Sequence, residues 1–350
     1  MVRSLKTRRP ATLASLAAER GVSRTTVSNA YNRPDQLSAE LRRRVLDTAR
    51  RLGYPGPDPV ARSLRTRQAG AVGLLLTESL AFAFEDPAAR GFLEGLAQAC
   101  QEAGRGLLLV PGGADVTEPA AVHRAAVDGF VVYSVPEDDP QLAAVLGRPV
   151  PTVVCDQPVV SGVDRVGIDD QSATRTLGAH VLGLGHRRIA VLALRTSPVQ
   201  RARQAGLKEA FEPAGVPWSS VPIVECGENS IDAGSAGARE LLDRQPAPTA
   251  IICLTDLLAL GVLAEAERRP NLRVPEDLTV TGFDGIAEAD RAGLTTVRQP
   301  FVEKGRMAGR LLLQDGDASG PRTVMLPTEL VPGRTCAVPR AHDGEWFSGL

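Results

Sequence analysis

At 350 residues the chain is long enough for one small and one larger domain, or for a domain split into two lobes, and too long for a single small fold. Its formal net charge of −1 hides an asymmetry: residues 1 to 68 carry 15 Lys+Arg against 5 Asp+Glu, a local +10, leaving 25 basic and 36 acidic residues after position 68, a local −11. A basic head attracts phosphate polyanions and an acidic body is repelled by them, so nucleic acid is the natural partner of the head alone.

The first elements lie between residues 12 and 54. In TLASLAAER, Thr12 caps a helix that places Leu13, Leu16 and Ala17 on one face and ends at Gly21. After a Gly-Val-Ser turn, Ser23 caps a second helix, RTTVSNAY. Two short helices joined by such a turn form a helix-turn-helix, whose second helix fits the major groove of B-DNA. A third helix starts at Ser38, puts Leu41, Val45, Ala49 and Leu52 on one face, stops at Gly53, and supplies the core the short helices lack. With Val27 facing inward, Arg24, Thr25, Ser28 and Asn29 are expected to point outward. Arg24, Thr25 and Asn29 have the donor and acceptor sets that read guanine, thymine and adenine edges, and Ser23, Ser28 and Asn32 suit phosphate anchoring. In the Pro- and Gly-rich segment PGPDPVARSLRTRQAG, Asp58 and Pro59 start a short helix to Arg65, marginal in isolation and so a candidate switch that DNA or a second copy would order.

The run GVSRTTVSNAYNRPDQLSAELRRRVLDTARRLGYPGPDPVARSLRT resembles the DNA-binding domain and hinge of the lactose/galactose repressor family of bacterial regulators. The resemblance implies that hinge helices of two subunits pair in the minor groove, with Leu64 as the lever that pries a base step apart and Ala61 and Arg62 beside it.

From Ala69 onward, short apolar strands alternate with helices. AVGLLLT, GLLLV, GFVVYSV and TVVC read as strands, with helices at 86 to 103, 117 to 126 and 138 to 147. RIAVLAL, PIVEC, AIICLT and LTVTGF follow as a second set of strands, with helices at 170 to 183, 199 to 214, 232 to 243 and 256 to 268. Such alternation implies parallel sheets covered by helices on both faces; two sets make two lobes with a ligand site at the strands' carboxyl ends, in the cleft between them. VGIDDQSATRTLGAHVLGLGHRRIAVLAL, TDLLALG and VPEDLTVTGFDG with LTTVRQP are similar to the sensor body of the same family, which shares its fold with periplasmic sugar-binding proteins. The expected fold is therefore a small all-α helix-turn-helix domain plus an α/β two-lobed periplasmic-binding-protein-like sensor. The expected layout is a DNA-binding domain at 1 to 55, a hinge at 56 to 68, a sensor and dimerisation body at 69 to 338 and a tail at 339 to 350. The resemblance implies three lobe crossings near 162, 296 and 320, giving a first lobe of 69 to 162 and 297 to 319 and a second of 163 to 296 and 320 to 338. The helix Phe301–Leu313 then belongs to the first lobe.

Effector contacts are expected just after strands. Asp256 and Arg203, the latter in the family's Arg-x-x-Gly signature, are set to grip hydroxyls, and Asp156 occupies a third family contact position. Thr77 and Ser79 follow the first strand, Phe82 or Phe84 provides an apolar wall, and Asn229 lies near where the lactose-type repressor places a stacking tryptophan. A plain helix cap is the alternative for Asp256, and Asp170 is expected to be only a cap. Thr255 stands where the family usually has asparagine. A sugar or sugar derivative is the first expectation for the effector and a nucleoside-like ligand the second.

No enzyme site is expected: His123, His180, His186 and His342 lack metal-ligand spacing, no Cys-x-x-Cys occurs, and Gly183 and Gly185 precede His186 at a helix end, not after a strand. Cys100, Cys155, Cys226, Cys253 and Cys336 read as buried reduced thiols, and no cofactor or metal is expected. Absence of a signal peptide or long apolar run argues against a free periplasmic binding protein and predicts a cytoplasmic regulator, most simply a repressor. A homodimer or tetramer on a pseudopalindromic double-stranded operator, away from membranes, completes the expectation.

Overall fold

The computed structural model describes residues 11–76, 80–112, 119–136, 138–156, 160–195, 197–314 and 320–340, apart from the side chains of Pro59, Val60, Arg62 and Phe82. The chain divides into two units, Met1–Ala69 and Gly70–Leu350.

The first unit is helical: α1 Leu13–Arg20, α2 Arg24–Asn32, α3 Ala39–Leu52 and α4 Pro59–Thr66, with a single 3₁₀ turn at Pro34–Gln36. Each of the first three helices starts where the sequence supplies a hydroxyl: Thr12, Ser23 and Ser38 accept from the backbone N–H three residues on. That satisfies one of the unpaired donors of a helix end. Gly21 and Gly53 end α1 and α3 at φ of 62° and 67°, a conformation nearly free of cost only for glycine. Leu16, Val27, Ala30, Val45 and Ala49 form the small core, closed by an edge-to-face contact between Tyr31 and Tyr54 at 6.0 Å.

The second unit begins with β1 Ala71–Leu76, α5 Leu80–Glu85, α6 Pro87–Glu102, β2 Gly106–Val110, α7 Ala120–Arg124, β3 Gly129–Tyr133, α8 Pro140–Leu146, β4 Thr152–Cys155 and β5 Asp164–Ile168. It continues with α9 Asp170–Gly183, β6 Ile189–Leu194, α10 Pro198–Phe211, β7 Ile223–Cys226, α11 Ile231–Leu242, β8 Ala250–Cys253, α12 Asp256–Glu267, β9 Thr279–Thr281 and α13 Ala287–Ala292. β10 Thr296–Arg298, α14 Phe301–Leu313, β11 Thr323–Leu326 and β12 Glu329–Val331 complete it. One parallel sheet has the order β11-β5-β4-β3-β1-β2, the other β7-β6-β8-β9, and β10 pairs antiparallel with β12. Both faces of each sheet carry apolar clusters: Phe92, Leu96, Val131 and Leu312 on one side of the first, Phe130, Val132, Leu142 and Val145 on the other. In the second, Leu177, Leu207 and Phe211 face Leu241, Leu258 and Val262 across the sheet. Burial on both faces explains why these strands read as continuous apolar runs.

Glycines let the covering helices touch backbone to backbone. A Cβ on Gly95 of α6 would overlap the Val302 carbonyl of α14, and one on Gly305 the Phe92 carbonyl. Gly234 and Gly261 serve α11 and α12 in the same way.

The lobe boundaries differ from the expectation. β5 and β11 pair with each other in the first sheet, in register from Thr323 opposite Arg165 to Leu326 opposite Ile168, so both belong to the first lobe. The chain therefore crosses after Ile168, between β10 and α14, and between β11 and β12, later each time than residues 162, 296 and 320. α14 does pack on α6 in the first lobe.

Candidate functional sites

α2 presents the first site. Its N-terminal residues Arg24 and Thr25 are exposed, as their expected base-reading role requires. Asn29 is half-buried and its Nδ2 donates to Gln36 Oε1 at 3.0 Å, so it must exchange that partner to reach a base. Ser23 serves first as the helix cap, accepting from Thr26 N at 2.9 Å. Ser28 does not point outward: it is only 9 % exposed, because it shares the inner side of the helix with Val27. Asn32 Nδ2 donates to the Ser28 carbonyl at 3.0 Å and to its hydroxyl at 3.2 Å. On α4, Leu64 is 77 % exposed, an unusual position for a large apolar side chain, and Ala61 is exposed beside it. The Arg62 side chain lies outside the described residues.

The second site is a cleft of about 910 Å³ between the two sheets of the body. The first lobe contributes Ala83, Asp86, Tyr133 and Asp156, and the second Arg203, Asn229, Thr255 and Asp284. Gln299, where the chain crosses, lies between them. Ser134, Asp156 and Asp284 on this wall hold φ of 54°, 56° and 131°. Non-glycine residues in such conformations concentrate where a site demands a particular side-chain direction.

A chain of buried polar groups runs under the cleft from lobe to lobe. Lys304 of α14, fully buried, donates to Asp156 Oδ1 at 2.8 Å and Oδ2 at 2.7 Å, and to Gln299 Oε1 at 3.0 Å. Gln299 Nε2 donates to Asp284 Oδ1 at 2.7 Å, which stands 3.6 Å from Arg203 Nη1. Arg203 Nε donates to Asp170 at 2.8 Å and Nη1 to the Leu254 carbonyl at 2.6 Å, with the guanidinium stacked 3.7 Å over the Phe283 ring. Burial pushes the Asp284 carboxyl well above the usual carboxylate range, against the pull of Arg203. A second bridge spans the lobes directly: Asn229 Nδ2 donates to Asp86 Oδ2 at 2.9 Å, and the Thr255 hydroxyl donates to Asn229 Oδ1 at 2.7 Å. Burial raises the Asp86 carboxyl too, opposed by donors from Ala89 N–H and Asn229.

Of the expected effector residues, Asp156, Arg203 and Asn229 come together in this cleft. Asp256 does not. It is 0 % exposed, and its oxygens accept from Gly285 N at 2.7 Å, Ile286 N at 2.9 Å and the Thr296 hydroxyl at 2.6 Å. Nor is it the cap, since Thr255 caps α12 and Asp256 follows as its first residue. Asp170 likewise is not the cap of α9, a role taken by Asp169; it is the buried partner of Arg203. Phe84 is 58 % exposed and forms no part of the cleft wall, because it sits on the outward face of α5. Thr77 and Ser79 lie outside the described residues, as does the Phe82 side chain. Sequence reasoning passed over Asp86, Tyr133, Asp284, Gln299 and Lys304. A signal existed for Lys304, which falls on the helix face of Ala308 and Leu312 and so belongs with the buried positions of α14.

A family profile described as a periplasmic binding protein-like domain matches residues 179–336. The HTH-type transcriptional regulator Rv3575c of Mycobacterium tuberculosis is 53% identical over 95% of this chain and 98% of its own length. Among solved structures, the transcriptional regulator CelR in complex with cellobiose aligns at a TM-score of 0.69 with 30% identity, over 93% of this chain and 99% of its own. The Lac repressor dimer bound to operator and the anti-inducer ONPF aligns at a TM-score of 0.80 with 26% identity, over 94% and 100%. The chain belongs to the LacI family of transcriptional regulators. Membership accounts for both units of this LacI-family protein: a helix-turn-helix head and a periplasmic-binding-protein-like α/β body. The relatives are regulators and not enzymes, in keeping with a cleft built to bind. No described helix is long and apolar enough to cross a membrane, and the described residues include no cluster suited to a metal ion.

Proposed function

We propose that this LacI-family regulator is a cytoplasmic repressor that binds a pseudopalindromic operator as a homodimer, or as a dimer of such dimers, and is controlled by a sugar held between its two lobes. The observation that carries the reading is the convergence of Asp86 and Asp156 from one lobe with Arg203, Asn229 and Asp284 from the other on a single cleft. A ligand that hydrogen-bonds both lobes prefers their closed arrangement and stabilises it by its differential affinity. Hydroxyl groups suit this wall because they donate to carboxylates and accept from Arg203 and Asn229. The CelR relative with cellobiose supports a sugar as the ligand class.

At the DNA, Arg24, Thr25 and Asn29 read base edges while Ser23, Asn32 and the recessed Ser28 hold register against phosphates. Ala61, Arg62 and the exposed Leu64 of paired hinge helices enter the minor groove, and lobe closure alters how the two hinges are presented. The Lac repressor dimer on its operator supports this arrangement.

The test is fluorescence anisotropy of the full chain on duplexes selected from a random library, with and without a panel of sugars. Site-specific binding that a sugar abolishes or strengthens is the expected result. Equal, salt-sensitive binding to every duplex, unaffected by any sugar, would overturn the proposal.

A further inference from the structure

The cleft carries more carboxylates than cations. Glu85, Asp86, Asp156, Glu228, Asp232 and Asp284 line it, against Arg195 and Arg203. The buried cations beneath it already face carboxylates: Lys304 holds both oxygens of Asp156, and Arg203 donates to Asp170 and stands 3.6 Å from Asp284. At the exposed rim Arg195 stands against three carboxylates, Glu85, Glu228 and Asp232, and water and salt screen all four. The stretches 77–79, 157–159 and residue 196, outside the described residues, contain no Lys, Arg or His.

Proteins that bind phosphate commonly offer it a helix N-terminus. Two of the helix N-termini at this cleft carry a carboxylate of the protein itself: Asp86 accepts from Ala89 N at 2.7 Å as the cap of α6, and Asp232 lies in the first turn of α11. The N-terminus of α10, capped by Ser197, carries none.

We infer that the cleft takes an uncharged, polyhydroxylated ligand whose hydroxyls donate to this surplus of carboxylates, and that it rejects the phosphate esters and uronic acids of the same sugars. The inference rests on the reading of the cleft as the effector site. A hydroxyl satisfies a buried carboxylate without adding charge, whereas an anion adds charge where each buried cation already faces a carboxylate. Repulsion by one surplus carboxylate about 6 Å away, at an effective dielectric near ~20, weakens binding about 100-fold.

Isothermal titration of the full chain tests this with glucose, galactose, ribose, cellobiose and sorbitol, the monosaccharides beside their phosphate esters, and glucuronate and galacturonate. The expected result is a neutral binder whose phosphorylated or oxidised counterpart binds about 100-fold more weakly. Asp86→Asn keeps a capping side chain and removes one charge, so it should close most of that gap. Equal or tighter binding of an anion, no neutral binder in the panel, or a gap unchanged in Asp86→Asn overturns the inference. A phosphate ester that binds and alters operator affinity defeats this inference alone, while a neutral sugar that binds without touching operator affinity defeats the regulatory reading alone.

Discussion

Lys304→Met removes the cation from a fully buried ion pair and puts an apolar side chain of similar reach in its place. Both Asp156 oxygens then lose the ammonium that donates to them, and Gln299 Oε1 loses its donor at 3.0 Å. Attraction between unit charges ~3 Å apart at an effective dielectric near ~20 is about 5.5 kcal/mol. Breaking a buried pair by removing one partner costs about 3–5 kcal/mol, and the tight geometry places this pair towards the upper end. Unfolding entropy near ~2.1 cal/mol/K per residue over about 280 residues converts that loss into a fall of roughly 5–9 °C in the melting temperature of the body. Differential scanning calorimetry of the full chain measures it. Adding Asp156→Asn, which suits the left-handed backbone there, should restore at least half the loss, because the stranded charge and not the missing packing is the cause. A Lys304→Met loss below about 1 kcal/mol, or a double variant worse than the single, would refute the reasoning.

Four further outcomes follow from the same contacts. Gly95→Ala should lower stability by about 3 kcal/mol in chemical denaturation, as α6 and α14 are forced apart, whereas Gly183→Ala, with open space around it, should change little. Asp284→Asn should flatten the pH dependence of stability: with its folded-state affinity for protons raised, wild-type Asp284 disfavours folding increasingly as pH rises above the usual carboxylate range, so the variant's relative stability should grow from acid to neutral pH in pH-stepped denaturation. Arg24→Ala should cost ~1–3 kcal/mol in operator binding and relax preference at one base pair, which footprinting across operator variants would show. Leu64→Ala should weaken operator binding in anisotropy while sugar affinity, measured by titration, stays nearly unchanged.

Much of the fold was legible because local rules and burial agree. Thr12, Ser23 and Ser38 each pair a capping hydroxyl with an amphipathic run, and the apolar runs of β1, β3, β6 and β8 admit hardly any other reading. β5, β11 and β12 escaped notice as strands because DRVGI, TVML and ELV are short and carry polar residues; their pairing is decided by neighbours far along the chain. The site was legible in part. Position after a strand brought Asp156 to the cleft and the Arg-x-x-Gly signature brought Arg203, but neither can say which way a carboxylate turns. Asp256 turns inward because the Gly285 and Ile286 amides, 29 and 30 residues on, are waiting for it. Asp86 read only as part of a helix start, since its contact with Asn229 spans 143 residues.

The three crossings between the lobes lie side by side. β5 and β11 are neighbours in one sheet, and β10 and β12 pair with each other, with Val297 opposite Leu330. Three adjoining leaves in a row, like the knuckles of a door hinge, would resist twisting and sideways slip more than a swing about their own line. Because the helices on each sheet touch through their glycines, each lobe is closely packed and would resist deforming. On the proposed reading, a ligand in the cleft would set one angle between the lobes, and two ligands of different chemistry but equal span would set the same one.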